Sequence, residues 1–584
     1  MVDKDQKGLH NTEGNKASSG IPEVRVRIWP ALLIALAEGV LILAVSPYAS
    51  TIIHNILVFM VVPFMATVLL AVWWLWASRT PLRDRVTGLA LFGAALLWVL
   101  LTQRSLLNGA LLLMYALPAL SVTVVLVMAV SLPFGWRIQR WLVTVMMLLS
   151  AGGFTLVRVD GLGGTSLPVM SFRWTSISED LLAEPPQLEG GGTALLPEEA
   201  GAADWPGFRG PSRDGRLVGT TFSVDWSTPP RLLWRRRMGA GWSSFAAVGE
   251  YLFTQEQHGR WELVTCYRAA TGENVWVNRV DAFHEDSMGS GPRATPLFNG
   301  GRLYTQGATG VLQCLDAATG RTIWRRDLKA EMGIRMPNWG FSASPLVMGD
   351  LIIVGAGENE EKSLIAFHSE TGEMMWSVGH TANGYSSPHL ADIGDFPQVL
   401  MLSDYGLKAF APETGALLWE HMWKISGNPR CVQPLVVSGD SVMMGSAGTL
   451  GSRLLRIQRQ NDAWVVQEEW TARRFRPYFN DSVLHKGCCY GFDGDRLACI
   501  NIETGDRLWE GKRYGGQVLL IADMDMLLVL TEKGAVTLVE ATPARFNEVA
   551  SFQALTGKTW NHPVVAQGKL FVRNAQEAAC FLLL

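Results

Sequence analysis

The pattern Thr-Gly-x-x-x-Trp recurs at Thr271-Gly272 to Trp276, Thr319-Gly320 to Trp324, Thr371-Gly372 to Trp376, Thr414-Gly415 to Trp419 and Thr504-Gly505 to Trp509. A chain with such a period is an array of one supersecondary unit. Trp234, Trp470 and Phe552 stand in the gaps as degenerate anchors, and the eight anchors lie about 45 residues apart. That is the length of a four-stranded propeller blade, so the pattern predicts an all-β, eight-bladed propeller.

Within one repeat, short β-rich runs alternate with turn signals, as in 344–350, 351–355, 364–367 and 374–376. The Thr-Gly turn falls between the third and fourth runs, where glycine supplies a positive φ and Asp316 or Asn501, three residues before the Thr, caps the turn. The Trp then lies on the outer strand, free to bury its ring against a neighbouring blade. The run 564–584 offers three strands without a fourth, and 232–238 is a fourth strand without predecessors. Pairing 232–238 with 560–584 makes one composite blade that closes the ring and removes its open edges.

The first quarter has a different character. The chain is 48% hydrophobic and 18% charged, with a mean hydropathy of +0.16, and the excess is concentrated in five apolar stretches: 28–45, 52–77, 86–102, 110–132 and 141–157. Each is near the length needed to cross a hydrocarbon core as a helix. Lys4, Lys7, Lys16, Arg25 and Arg27 precede the first, Arg79, Arg83 and Arg85 follow the second, and Arg137 and Arg140 follow the fourth, against a lone Arg104 in the alternate connectors. Basic residues stay on the cytoplasmic side. Five spans with a cytoplasmic N-terminus therefore put everything after Arg158 outside, in the periplasm beyond a bacterial inner membrane. The first stretch follows 27 residues of polar character and reads as a signal anchor, not a cleavable signal. Glu38 within the first span is either packed neutral between helices or a proton or quinone site, and His54 sits near the outer end of the second.

The expected organisation is thus a cytoplasmic tail (1–27), a five-span α-helical membrane bundle (28–158), a flexible linker (159–204) rich in Gly, Pro and Ser, and the propeller (205–584). A net charge of −3 gives no footprint for nucleic acid. Membrane lipid is the one partner the composition itself implies.

The repeat resembles the pyrroloquinoline quinone (PQQ) type of propeller repeat, over about residues 205 to 584. Quinoprotein alcohol and glucose dehydrogenases share it with a non-catalytic outer-membrane-protein assembly lipoprotein. The segment Trp205-Pro-Gly-Phe-Arg-Gly-Pro211 with Asp214-Gly215 is similar to the opening of a group of bacterial PQQ-like repeat proteins. Five spans before a propeller resemble membrane-bound glucose dehydrogenase. The resemblance implies two functions of different classes. One is a membrane-anchored periplasmic scaffold for binding or assembling envelope proteins. The other is a PQQ-dependent dehydrogenase that oxidises alcohols or sugars and passes electrons to membrane quinone.

A ligand would bind where the loops from each outer strand to the next inner strand converge on the axis. Three of these loops carry Gly-aromatic-Ser, at Gly241-Trp242-Ser243, Gly340-Phe341-Ser342 and Gly384-Tyr385-Ser386. Others supply Glu285, Asp286, Arg293, Asn338, Trp339, Arg430, Asn480, Asp481, Trp560, Asn561 and His562. In the enzyme reading Asp481 or Asp286 is the general base, and Trp242 or Trp339 stacks on the cofactor. Arg430 polarises the quinone, while Arg293, Trp560 and His562 complete the PQQ pocket, and Glu285 with Asn480 belongs to a Ca²⁺ set. In the alternative, Arg and Asp join blades and the aromatics fill a narrow tunnel. Blades of about 44 residues leave little room for the insertions of the dehydrogenases, and no Glu-Asn-Asp calcium set aligns with theirs. No Cys-x-x-Cys-His, His-Glu-x-x-His, P-loop or nucleophile elbow occurs.

Seven cysteines beyond a membrane suggest disulfides, yet Cys266, Cys314 and Cys499 each lie ten residues before a repeat Trp, where other blades have Ala366 and Ala409. They read as small core residues, with Cys580 in the matching place. The adjacent Cys488-Cys489 aligns with a second strand and reads the same way, although the resembling alcohol dehydrogenases carry a disulfide between neighbouring cysteines.

Overall fold

A computed structural model describes residues 26–45, 57–103, 106–164, 167–175, 192–357, 359–380, 384–425, 430–448 and 450–583. The described residues form two compact units, one up to residue 159 and one from residue 160 onward.

The first unit is a helical bundle. Its described helices are α1 (Trp29–Val45), α2 (Leu57–Ala77, with π-helical turns at both ends), α3 (Leu82–Leu101), α4 (Leu106–Val130) and α5 (Trp136–Thr155). Among them α2, α3 and α4 are long and apolar enough to cross a membrane. α1, with 17 residues, is shorter, and α5 takes in Arg137 and Arg140, which the sequence reading put in a connector. Arg83 and Arg85 likewise lie inside α3. Arginine is a good helix former with a stem long enough to carry its charge to an interface, so helices run on past the apolar boundary. Small residues Ala95, Ala116 and Ala151 are buried between helices, and Leu33, Phe64, Leu69 and Trp76 point outward, the inverse of a water-soluble bundle. Glu38 is buried in α1, with no hydrogen-bond partner among the described residues. His54 lies outside the described residues.

The second unit is the expected eight-bladed propeller. Blades 1 to 7 cover residues 246–281, 297–327, 346–380, 389–422, 435–472, 483–513 and 517–553, and blade 8 is residues 564–582 closed by Arg231–Arg237. Each has four antiparallel strands, and blade 7 gains a fifth, Arg216–Leu217, paired parallel to its inner strand. The closing strand pairs Trp234 with Cys580 and Arg237 with Glu577, so the ring is sealed by its two ends.

The register explains the repeat. Each Trp lies opposite a small residue: Trp276 faces Cys266, Trp324 Cys314, Trp376 Ala366, Trp419 Ala409 and Trp509 Cys499. Four of these indole N–H groups cross to the next blade, Trp276 donating to the Ala317 carbonyl at 3.0 Å, Trp324 to Ser369 at 2.8 Å, Trp376 to Pro412 at 3.0 Å and Trp509 to Thr542 at 2.7 Å, whereas Trp419 donates to Gln398 Oε1 of its own blade at 2.7 Å. The ring lies on the next blade's Thr-Gly turn, where a Cβ on Gly320, Gly372 or Gly415 would collide with it. Glycine is needed there twice over, for φ near +70° and for contact with indole. Thr-Gly and Trp are therefore two halves of one joint between consecutive blades. Blade 5 departs because its outer hairpin turns at Asn461-Asp462, both at positive φ, which leaves Trp470 without a Thr-Gly of its own. None of the seven cysteines is in a disulfide, and Cys488 and Cys489 lie on a buried second strand.

The segment expected to be a flexible linker is held at both ends. Leu162 N–H donates to Ser287 O at 2.8 Å and Gly164 N–H to Glu532 Oε1 at 2.6 Å. Ala194 is buried and donates to Ala318 O at 2.8 Å. Residues 176–191 lie outside those described. Composition predicts a tether because Gly and Ser cannot build a core; it does not register that their backbone N–H groups can bond to a finished one.

Candidate functional site

At the face where outer strands return to inner strands, the loops enclose an axial cavity of about 150 Å³. Its walls are aromatic. Trp242 and Trp560 lie 4.9 Å apart by ring centroids, Phe479 packs on Trp560 at 5.0 Å, and Trp339 stacks on Tyr385 at 5.0 Å. Gly163 and Gly164 of the docked segment line it as well. Lys558, at the back of the Trp pair, holds that segment: its Nζ lies 4.9 Å from the Trp242 centroid and 4.5 Å from that of Trp560, and donates to Leu162 O at 3.0 Å and Met288 O at 2.7 Å. Burial pushes its pKa down to about 8.

Asp481 forms the floor. Its Oδ2 is 3.1 Å from Arg209 Nη1 and 3.2 Å from His562 Nε2, and its Oδ1 accepts the Gln433 N–H at 2.7 Å. Burial alone would raise its pKa, but the Arg209 charge and the His562 hydrogen bond outweigh it and hold the carboxyl at about 2. Burial in turn pushes the His562 imidazole below its ordinary value. Arg209 is spent on structure: Nε donates to Arg213 O at 3.2 Å, and Nη2 to Asp214 O at 2.7 Å and Ser482 O at 2.8 Å. It belongs to a plug, residues 204–217, that threads the channel from the opposite face. Trp205 pairs with Ala247 of blade 1, Pro206 O accepts from Phe298 of blade 2, and Leu217 joins blade 7.

Of the residues predicted from sequence, Trp242, Trp339, Arg293, Asp481, Trp560 and His562 line the cavity. Four do not. Arg430 is buried below the loops, its Nη1 on Ser403 O at 2.7 Å and Nη2 on Trp423 O at 2.5 Å, so it cannot polarise a ligand on the axis. Asp286 is beside the cavity but engaged, by Arg293 at 2.8 Å, His284 at 2.9 Å and the Met288 N–H at 2.7 Å. Burial opposes its ionisation, yet the His284 hydrogen bond and the Arg293 charge keep its pKa below the ordinary value. Asn480 is buried, donating to Gly516 O, and Glu285 is exposed on a two-residue strand. No group of three or more His, Cys, Asp or Glu that could hold a metal exists among the described residues.

Sequence reasoning missed Arg209 and Phe208 from the plug, Gln433 from the loop before an inner strand, Gln517 from the start of another, and the docked Gly163-Gly164. One signal was present: two arginines within Phe208-Arg-Gly-Pro-Ser-Arg213, too rich in Gly and Pro to be a strand and placed before the first blade.

The fold and site define a PQQ-like β-propeller in a chain that also carries a helical unit with three helices long and apolar enough to cross a membrane. The chain belongs to the family described as outer membrane protein assembly factor BamB, whose model matches residues 260–472, 308–546 and 404–582 in overlapping registers. It is 28% identical over 138 residues to the quinoprotein alcohol dehydrogenase PedH of Pseudomonas putida, covering 22% of this chain and 22% of that protein. It is 24% identical over 234 residues to the BamB of Burkholderia pseudomallei, covering 38% of this chain and 57% of that protein. Similar solved structures include BamB from Moraxella catarrhalis (16% identity, TM-score 0.46, 60% of this chain and 99% of that one). Another is the quinohemoprotein alcohol dehydrogenase of Comamonas testosteroni (12% identity, TM-score 0.47, 65% and 80%).

Proposed function

We propose that this protein is a membrane-anchored scaffold whose propeller stands in the periplasm and binds or assembles envelope proteins, and that it does not act as a PQQ dehydrogenase. One observation carries the reading: of the two carboxylates the sequence offers as a base, the one that lines the axial cavity, Asp481, is already neutralised by a buried arginine of the chain's own plug. A general base needs a free carboxylate within reach of substrate and a pKa near the working pH; a pKa of about 2 in a buried ion pair offers neither. PQQ fits poorly as well. The cavity is about 150 Å³, Arg430 faces away from it, and Glu285, Asn480, Asp286 and Asp481 do not converge as Ca²⁺ ligands. The curated relatives named as assembly factors support the scaffold class. Five spans, a cytoplasmic N-terminus and an inner-membrane location belong to the same reading, carried by the basic asymmetry of the connectors.

The test is to incubate the purified protein with PQQ and Ca²⁺ and measure cofactor retention and dye reduction over alcohols and sugars. No retention at micromolar PQQ is expected, together with a loss of correctly assembled outer-membrane proteins in a deletion strain. Stoichiometric retention with turnover would overturn the proposal.

A further inference from the structure

The Arg209–Asp481 pair separates the axial cavity from a second space. Asp481 and Gln433 line both, and beyond them a cleft of about 370 Å³ opens between the plug and the inner strands His389–Ile393 and Leu435–Ser438. Its chemistry differs from that of the aromatic cavity, because its walls are largely polar and include the buried Arg213 and His389 and the exposed Ser212.

The charges in this cleft do not balance. Two guanidiniums, Arg209 and Arg213, are buried here, and the one buried carboxylate, Asp481, is committed to Arg209 and His562. Among the described residues Arg213 has no carboxylate partner: Nη1 donates to Pro345 O at 2.8 Å, Nη2 to Ser344 O at 3.3 Å and Pro388 O at 3.2 Å, and Cζ lies 5.7 Å from the Phe208 ring centroid. Among the described residues its Nε is buried without a hydrogen-bond partner, and so is Nδ1 of His389. The remaining acids lie outward: Asp214 is half-buried and accepts the Arg216 N–H, and Asp392 is exposed. Burying an unmatched cation is expensive, and unmet N–H groups beside it add to the cost. The backbone adds a further observation, for Arg209 and Arg213 both sit in the left-handed region, at φ 61° and 56°. Non-glycine residues adopt that region at a cost in backbone strain. Burial, with the two arginine charges beside it, pushes His389 down to about 3, so the imidazole is a neutral polar partner.

We propose that this cleft is a binding site for a small oxyanion, a carboxylate or a phosphate, held by Arg213 with His389 Nδ1 and the Ser212 hydroxyl as further partners. With Nη2 engaged by two carbonyls, Nε is the donor left to such an oxygen, and the guanidinium charge strengthens that bond. The volume admits a small organic acid or phosphate ester, not the bare ion alone.

The experiment uses the full chain in detergent at constant ionic strength. Sodium phosphate and sodium acetate are each titrated against chloride, with the melting temperature and, for phosphate, ³¹P line broadening as readouts. Ser212→Asp places a carboxylate at the cleft while leaving the Arg213 carbonyl bonds intact, and Ser212→Asn is its neutral counterpart. Expected is a saturable rise of about 3 °C at a hundredfold excess over Kd, weakened at least tenfold in Ser212→Asp and less than threefold in Ser212→Asn. A response to phosphate alone assigns a phosphoryl ligand, and one to acetate alone assigns a carboxylate. No response beyond that to chloride, or an equal response in Ser212→Asp, overturns the proposal.

Discussion

Replacing Arg209 by leucine tests whether the plug is tied to the propeller by its buried ion pair. The substitution leaves Asp481 buried with the Gln433 N–H and His562 as its remaining partners. In the native protein the carboxyl titrates at about 2 against an ordinary 3.8, so its surroundings contribute about 2 kcal/mol at neutral pH. The sign follows from the depressed value: this stability is present above pH 4 and is lost as pH falls through 2. Once Arg209 is gone, Asp481 either stays charged at the cost of an unmatched buried ion, about 3 to 5 kcal/mol, or takes a proton. Protonation at pH 7 from an ordinary carboxyl costs about 4 kcal/mol, which caps the penalty. A loss of about 3 to 4 kcal/mol is therefore expected in urea unfolding followed by tryptophan fluorescence. Arg209→Leu with Asp481→Leu removes both charges, so the double variant should recover about 2 kcal/mol relative to the sum of the single variants. The difference between native protein and Arg209→Leu should also shrink towards pH 4. A cost below about 1 kcal/mol, or strict additivity in the double variant, would refute the argument that the plug is an electrostatic element of the ring.

Three further outcomes are expected. Glu262 is buried, its two oxygens share the Ala308 N–H at 3.1 and 3.2 Å, and burial raises its pKa to about 7. Its contribution is full below pH 4.5 and lost as pH rises through 7, so Glu262→Gln should be neutral near pH 4.5 and raise the melting temperature at pH 8; a lower melting temperature at pH 8 would contradict this. Deleting residues 560–584 removes three of the four strands of blade 8 and should abolish the cooperative transition of the whole propeller, and a truncated chain that keeps its full transition would disprove closure by the two ends. Alkaline phosphatase fused after Arg158 should be active in cells and β-galactosidase at the same point inactive, whereas the reverse pattern would invert the topology.

Much of this architecture is present in the sequence because it is periodic and local. The Thr-Gly turn, the small residue ten positions before the Trp and the Trp itself are spaced by strand geometry; the set recurs in five blades and an aromatic anchor stands alone in the other three, so counting anchors counts blades. The orphan strand at Trp234 and the unfinished blade ending at Cys580 likewise carry the ring closure, since an unpaired strand must find its edge somewhere. Apolar length and arginine placement mark a helical membrane unit, though not where each helix begins, because arginines that a composition window assigns to connectors extend α3 and α5 by a turn. The axial site was legible in part. Loops between blades had to converge, and six of the residues they supply do line the cavity. Depth along the axis is set by how far each backbone loop reaches, and no local pattern encodes that, so Arg430 turned out to be buried beneath the loops and Asn480 tied to Gly516. The plug is the clearest case of what tertiary structure alone decided. Arg209 and Asp481 are 272 positions apart and meet only because a Gly- and Pro-rich segment, with no core of its own, is threaded into a channel that exists once eight blades have closed around it. In that low-dielectric space a carboxylate that could have been a base becomes a structural anion, because the energy of a buried charge depends on what lies within a few ångströms of it and not on its neighbours in sequence.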